Sequence, residues 1–276
     1  MRPTISPPPS LSPDEVEKIL KQEFDLSGQI ELLPGDIGQN FHVTTGDGRE
    51  FLFKIANPVE DRFSLEAQNK VLAYLNLQNF DFQLPKIIPN LKGAEITEIK
   101  DHRGHCHLAR LFTWLKGEFL AEINLEDKPD LLEDLGHVLG SLDRALADLT
   151  LPHARRYWHW DLKNLLDWQE LTAYISSSPR KRLVEYFLLQ FETEVVPEFA
   201  HLRRSLIYND ANDYNILVTK SPAGHWKIAG LIDFGDMVES YLLFEPAVAL
   251  AYTISSAEDP LEAALPLLKG YNSVLP

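Results

Sequence analysis

Tyr208-Asn209-Asp210-Ala211-Asn212-Asp213-Tyr214-Asn215-Ile216-Leu217-Val218 decides how this chain is read. An apolar strand over residues 205–208 runs into an Asp, four residues intervene, an Asn follows, and a second apolar strand, 216–219, begins at once. A short loop between two strands fixes both side chains on one rim. The spacing alone is weak, because Asp and Asn also fill ordinary turns. Further along, Leu231-Ile232-Asp233-Phe234-Gly235 repeats the device: an apolar strand delivers a carboxylate, then an aromatic, then a flexible glycine. Two such motifs in this order, each after an apolar strand, are hard to obtain by chance.

The residue types suit phosphoryl transfer. Asp210 can accept the proton of an attacking hydroxyl, Asn215 can bind Mg²⁺ through its amide carbonyl, and Asp233 can bridge Mg²⁺ to the β- and γ-phosphates. Upstream, Phe51-Leu52-Phe53-Lys54-Ile55 sets a lone Lys inside an apolar strand. A buried ammonium there is costly unless paired. Glu66 on the following helix is the expected partner, and the pair would hold Lys54 against the α- and β-phosphates. The plainer alternatives are a surface Lys54 on a two-sided strand and a solvated Glu66. In Gly35-Asp36-Ile37-Gly38-Gln39-Asn40, Gly38 and its neighbours can turn backbone N–H groups toward phosphates; a simple hairpin turn fits equally well. Phe112 and Thr113, with Trp114, are expected to meet the nucleotide base through backbone groups. Asp213 and Asp236 are candidates to hold a substrate ammonium, against the default of solvated turn residues; Asp161 and Glu239 are weighed with them.

Working outward, residues 1–11 are rich in Pro and Ser and read as a loose tail. Ser12, Pro13 and Glu15 then announce a capped helix, with Val16, Ile19, Leu20 and Phe24 at helical spacing. Strands are expected at 29–33, 40–44, 50–56, 96–99 and 107–112, with Gly46-Asp47-Gly48 as a hairpin turn and a helix at 63–77. After Leu115-Lys116-Gly117 the texture changes. Helical patterns cover 130–149, 162–175, 182–195 and 242–255, and a further helix covers 265–271. Strands 205–208, 216–219 and 227–233 sit among them. The domains expected are a tail at 1–11, a nucleotide-binding lobe at 12–114 and a catalytic lobe at 115–276.

Composition narrows the partners. With 276 residues and 45% hydrophobic content, a sizeable core is available. Lys+Arg 26 against Asp+Glu 41 gives a net charge of -15, which argues against nucleic acid and fits a cationic substrate or an acidic soluble protein. No apolar run approaches the ~18 residues of a membrane span. The single cysteine, Cys106, precludes an internal disulfide and reads as a buried strand residue in a cytoplasmic protein. His153 and His159 lack ligand spacing for zinc. Trp158, Trp160 and Trp168 read as core aromatics.

These motifs resemble the aminoglycoside-phosphotransferase and choline-kinase-like superfamily. Asn209-Asp210-Ala211-Asn212-Asp213-Tyr214-Asn215, Phe53-Lys54-Ile55-Ala56-Asn57-Pro58, Glu66-Ala67-Gln68-Asn69 and Trp160-Asp161-Leu162 look most like its hydroxylysine-kinase branch, a domain also found fused to class III aminotransferases. The resemblance runs from about Pro13 to the C-terminus. It implies an α+β, protein-kinase-like two-lobed fold with a small antiparallel-sheet N-lobe, a mainly helical C-lobe and truncated C-terminal helices. It implies a small-molecule kinase moving the γ-phosphoryl of GTP or ATP to a hydroxyl of an amine or amino acid, with Mg²⁺ and with 5-hydroxylysine as the leading acceptor. Aminoglycoside, choline, ethanolamine or homoserine kinase activity is the alternative, as is an inactive nucleotide-binding module of a longer aminotransferase-containing chain. The family loop opens with His where Tyr208 stands. A protein kinase is disfavoured, since the loop lacks the H-R-D arginine.

Overall fold

The structure, a computed structural model, describes residues 8–35, 37–151, 154–255 and 257–276. The start of the expected loose tail (1–7), Asp36 of the glycine loop and His153 lie outside the described residues.

The chain forms two compact units. The first comprises residues up to Gly117 together with Gly230–Ile232, and the second Glu118–Ala229 with Asp233–Pro276. Helix α1 (Pro13–Phe24) begins with the capping box that Ser12 and Glu15 encode: each side chain meets the other's backbone N–H. Leu11, assigned to the tail by composition, is buried, and Gln39 bonds both its N–H (2.8 Å) and its carbonyl (2.9 Å). Strands β1 (Gly28–Leu33), β2 (Gln39–Thr45) and β3 (Glu50–Ile55) form an antiparallel meander. Helix α2 (Arg62–Leu75), capped by Asp61, follows. Strands β4 (Ile87–Ile88), β5 (Thr97–Lys100) and β6 (Cys106–Thr113) complete a sheet in the order β1-β2-β3-β6-β4, with β5 also on β6. Alternation places Phe41, Val43, Phe53 and Ile55 on one face, where Val16 and Leu20 of α1 cover them.

The second unit is mostly helical. It contains β7 (Glu118–Phe119), α3 (Pro129–Leu146), a 3-10 run Leu162–Tyr174 and α4 (Ser178–Gln190). Strands β8 (Arg204–Ile207), β9 (Ile216–Lys220), β10 (Trp226–Leu231, its last two residues counted with the first unit) and β11 (Val238–Tyr241) follow, then α5 (Phe244–Thr253) and α6 (Pro260–Val274). The small sheets are β10-β9-β7 and β11-β8. The architecture is a two-lobed, kinase-like α+β fold, with a sheet-rich first lobe and a mostly helical second one.

The helical run expected at 162–175 forms, as a 3-10 helix over Leu162–Tyr174 with none of its residues fully buried. Some local expectations fail. Cys106 is exposed because it opens β6 rather than lying within it. Trp160 is no core aromatic: it is 63% exposed and stacks on Trp168.

Candidate active site

In the first lobe, Lys54 is half-buried on β3, with Asn40 of β2 and Arg110 of β6 as its cross-strand partners. Arg110 is only 6% exposed and is tied to α2, donating to Asn69 Oδ1 (2.9 Å) and Gln68 Oε1 (2.8 Å). Arg110 and these two amides thus tie β6 to α2. Glu66 is half-buried on the same helix. Gly38 passes so close to β3 that a Cβ there would lie 2.8 Å from the Ile55 carbonyl oxygen, so only glycine fits. The preceding carbonyl, of Ile37, accepts from Asn57 Nδ2 at 2.7 Å. Phe112 is buried under the Arg110 guanidinium, 5.1 Å from the ring centre. Thr113 spends its N–H on the Lys86 carbonyl (2.8 Å), and its hydroxyl accepts from the Lys86 N–H (2.9 Å).

In the second lobe, β8 ends where the loop begins. Tyr208 is fully buried, its ring 4.8 Å from that of Phe234, so it packs against the turn that carries Asp233. Asn209 adopts a left-handed backbone (φ 66), which Asn tolerates better than most residues. Its Nδ2 donates to the Asp236 carbonyl at 3.2 Å. Asp210 follows with both carboxylate oxygens engaged: Asn212 Nδ2 donates to Oδ1 at 2.8 Å and Asn215 Nδ2 to Oδ2 at 2.6 Å. Asp213 is half-buried and its carbonyl accepts from Ala121 N–H at 3.1 Å. Asp233 also has positive φ (53), and its Oδ1 accepts from Gly235 N–H at 3.1 Å.

The acids of this lobe crowd one another. Burial, then the charges of Asp210 and Asp233, push the Asp236 carboxyl up to about 7. Burial and the charges of Asp210, Asp213 and Asp236 push up the Tyr252 hydroxyl. The acids proposed for base, metal and ammonium therefore share one electrostatic neighbourhood. Donation by Asn215 Nδ2 to Asp210 leaves its carbonyl oxygen as the end offered to a cation. That oxygen and the Asp233 carboxylate are hard donors of the kind Mg²⁺ takes, so the residues fit the ion.

Sequence reasoning missed what holds the loop. Glu245, fully buried on α5, accepts from the Asn209 N–H at 2.8 Å. Burial pushes its carboxyl up to about 7, although backbone N–H groups of Asn209 and Tyr208 pull the other way. Asp143 of α3 is buried nearby, raised by burial and then by the charge of Glu245, and accepts from Tyr271 Oη of α6 at 2.6 Å. One oxygen of each carboxyl, Asp143 Oδ1 and Glu245 Oε1, is buried with no partner among the described residues. The signal for Glu245 was a single acid in an otherwise apolar helical run, where an unpartnered charge is expensive.

Comparison with known proteins supplies the family. A model described as the phosphotransferase enzyme family matches residues 29–272. The chain belongs to that family. It is similar to proteins named hydroxylysine kinase, 30% identical in Mus musculus over 90% of this chain and 70% of the relative, and 27% identical in Danio rerio over 97% and 77%. Among solved structures it is similar to a microcompartment-associated aminopropanol kinase, with TM-score 0.74 at 19% identity over 95% of this chain and 81% of the other. An amicoumacin kinase in complex with AMP-PNP and Ca²⁺ gives TM-score 0.71 at 17% identity over 95% and 78%. These two likenesses speak to the fold. The chain is a small-molecule phosphotransferase of the aminoglycoside-phosphotransferase superfamily. No described helix is long and apolar enough to cross a membrane.

Proposed function

We propose that this phosphotransferase moves the γ-phosphoryl of GTP or ATP to the hydroxyl of 5-hydroxylysine. The observation that carries the reading is the catalytic loop, in which Asp210 receives Asn212 and Asn215 on its two carboxylate oxygens. That grip fixes the carboxylate so that it can orient an acceptor hydroxyl and take its proton during in-line attack. Asn215 and Asp233 would hold Mg²⁺, which supplies charge neutralisation between the β- and γ-phosphates. Lys54 binds nucleotide phosphates, Gly38 brings the first-lobe turn to them, and Phe112 and Thr113 meet the base. Glu66, on the helix that Arg110 ties to β6, pairs with Lys54 and holds it in place. Asp213 and Asp236 take the ammonium of the acceptor, whose charge relieves the repulsion that Asp210 and Asp233 exert on Asp236. The relatives named hydroxylysine kinase support the acceptor, and the lone, exposed Cys106 suits a reducing cytoplasm.

Product formation with labelled GTP or ATP tests this, using 5-hydroxylysine beside choline, ethanolamine and kanamycin. Phosphorylated hydroxylysine is the expected product. Label on choline, ethanolamine or kanamycin with none on hydroxylysine overturns the acceptor, and no labelled product from any of them returns the chain to a nucleotide-binding role.

A further inference from the structure

The second lobe carries a cavity of about 490 Å³ lined by Arg155, Arg156, Tyr157, Lys163, Arg204 and Glu239. Four of the six are cations, in a chain whose net charge is -15. Three acids temper them, Asp236 by facing the Arg156 charge. Glu239 meets Arg155 Nε at 2.6 Å and Arg204 at 3.8 Å, while Lys163 pairs with the buried Asp161 at 2.7 Å and donates to the Glu239 carbonyl at 3.0 Å. Cations still outnumber acids, four to three. The positive charge is also held in place: Arg156 lies 4.1 Å from the Trp158 ring centre and donates to the carbonyls of Gly235 (2.6 Å) and Met237 (3.3 Å), and Arg204 lies over Tyr241. Stacked guanidiniums are preorganised to grip a planar anion by paired N–H donors.

The cavity adjoins the chemistry. Gly235, which Arg156 grips, lies two residues past Asp233, and Asp236 accepts from Asn209 beside Asp210. At roughly 3.5 Å of chain per residue, the Arg156 guanidinium is within about 10 Å of Asp233, a distance that a lysine-length molecule spans. We infer that this cavity holds the carboxylate of an amino-acid acceptor while its hydroxyl lies at Asp210. The inference rests on the proposed function and sharpens it, since choline, ethanolamine and aminoglycosides carry no carboxylate.

The test uses unreactive stand-ins. Arg155 and Arg204 have side chains 63% and 53% exposed, so Arg155→Gln with Arg204→Gln removes two charges without opening the core. Calorimetric titration of L-lysine should show binding to the native chain and at least about tenfold weaker binding to the double variant, the loss expected of charge-assisted hydrogen bonds. Cadaverine, which is lysine without the carboxylate, should bind both proteins alike. Equal lysine affinity in the two proteins, or no lysine binding by the native chain, overturns the site. Turnover of 5-hydroxylysine and of its decarboxylated counterpart is assayed separately. Hydroxylysine turnover that ignores the two arginines sinks the carboxylate site and leaves the kinase reading intact. Arginine-dependent lysine binding without any turnover does the reverse.

Discussion

Asp210 has no oxygen without an amide donor, since Asn212 and Asn215 meet its two carboxylate oxygens at 2.8 and 2.6 Å. A carboxylate so gripped keeps one orientation, and an Asn in its place would keep much of the shape while losing the charge and the basicity. Asp210→Asn should lower turnover by at least about 10²-fold, the contribution typical of a positioned base, while the Mg-nucleotide complex still binds in a calorimetric titration. Near-native turnover removes Asp210 from the chemistry; lost nucleotide binding would mean that the substitution damaged the loop. The loop that holds Asp210 and Asn215 and the turn that holds Asp233 were legible in the sequence, because each follows an apolar strand at short spacing. Glu245 and Asp143 were not: each is a single acid on a helix, and the groups they serve, Asn209 and Tyr271, lie far away in the chain. Arg110 was hidden for a different reason. Burial along β6 is nearly continuous from His107 to Phe112, so period-two alternation does not sort its residues by face.

Helices α3, α5 and α6 bring Asp143, Glu245 and Tyr271 together behind the loop that carries Asp210. Their packing confines two carboxyls where water does not reach, and the pair titrates as a unit. The sign of the linkage follows from the direction of the shifts. Glu245 is raised from its ordinary 4.5 to about 7, and Asp143 is raised too, so the folded chain keeps protons that the unfolded chain releases. The stabilisation is fully present below about pH 4.5 and is lost as pH rises through about 7. Asp143→Asn keeps an acceptor for the Tyr271 hydroxyl and removes the like charge. The Tm of this variant should therefore gain on that of the native chain as pH rises from 5 to 8, and a difference that stays constant across that range would show that the two acids do not interact. The long helices were legible from periodicity and caps, as Ser12, Pro13 and Glu15 show for α1. Strand β11 was not, because Val-Glu-Ser-Tyr is short and polar, and only its pairing with β8 extends it.

At the scale of the whole molecule, the chain returns to the first unit late. Gly230–Ile232 belongs to that unit, and the next residue, Asp233, belongs to the second. The return is anchored by backbone: Leu231 N–H donates to the Gln83 carbonyl at 3.1 Å, and Gly230 pairs with Gln83 in a parallel bridge. The fit depends on a missing side chain. A Cβ at Gly230 would lie 2.7 Å from the Gln83 carbonyl oxygen and 3.1 Å from Leu115 Cδ1. The leucine end can move aside, but the carbonyl sits on backbone and cannot retreat without carrying its strand segment along. Gly230→Ala should therefore displace the segment that delivers Asp233 while leaving Asp210, Asn212 and Asn215 as they are. The expected signature is selective: the Mg²⁺ concentration for half-maximal turnover rises severalfold, the KM for the acceptor stays put, and Tm falls modestly. An unchanged Mg²⁺ requirement together with an unchanged Tm would mean that this junction does not position the carboxylate. A parallel rise in the acceptor KM would mean that the disturbance reaches the loop that carries Asp210.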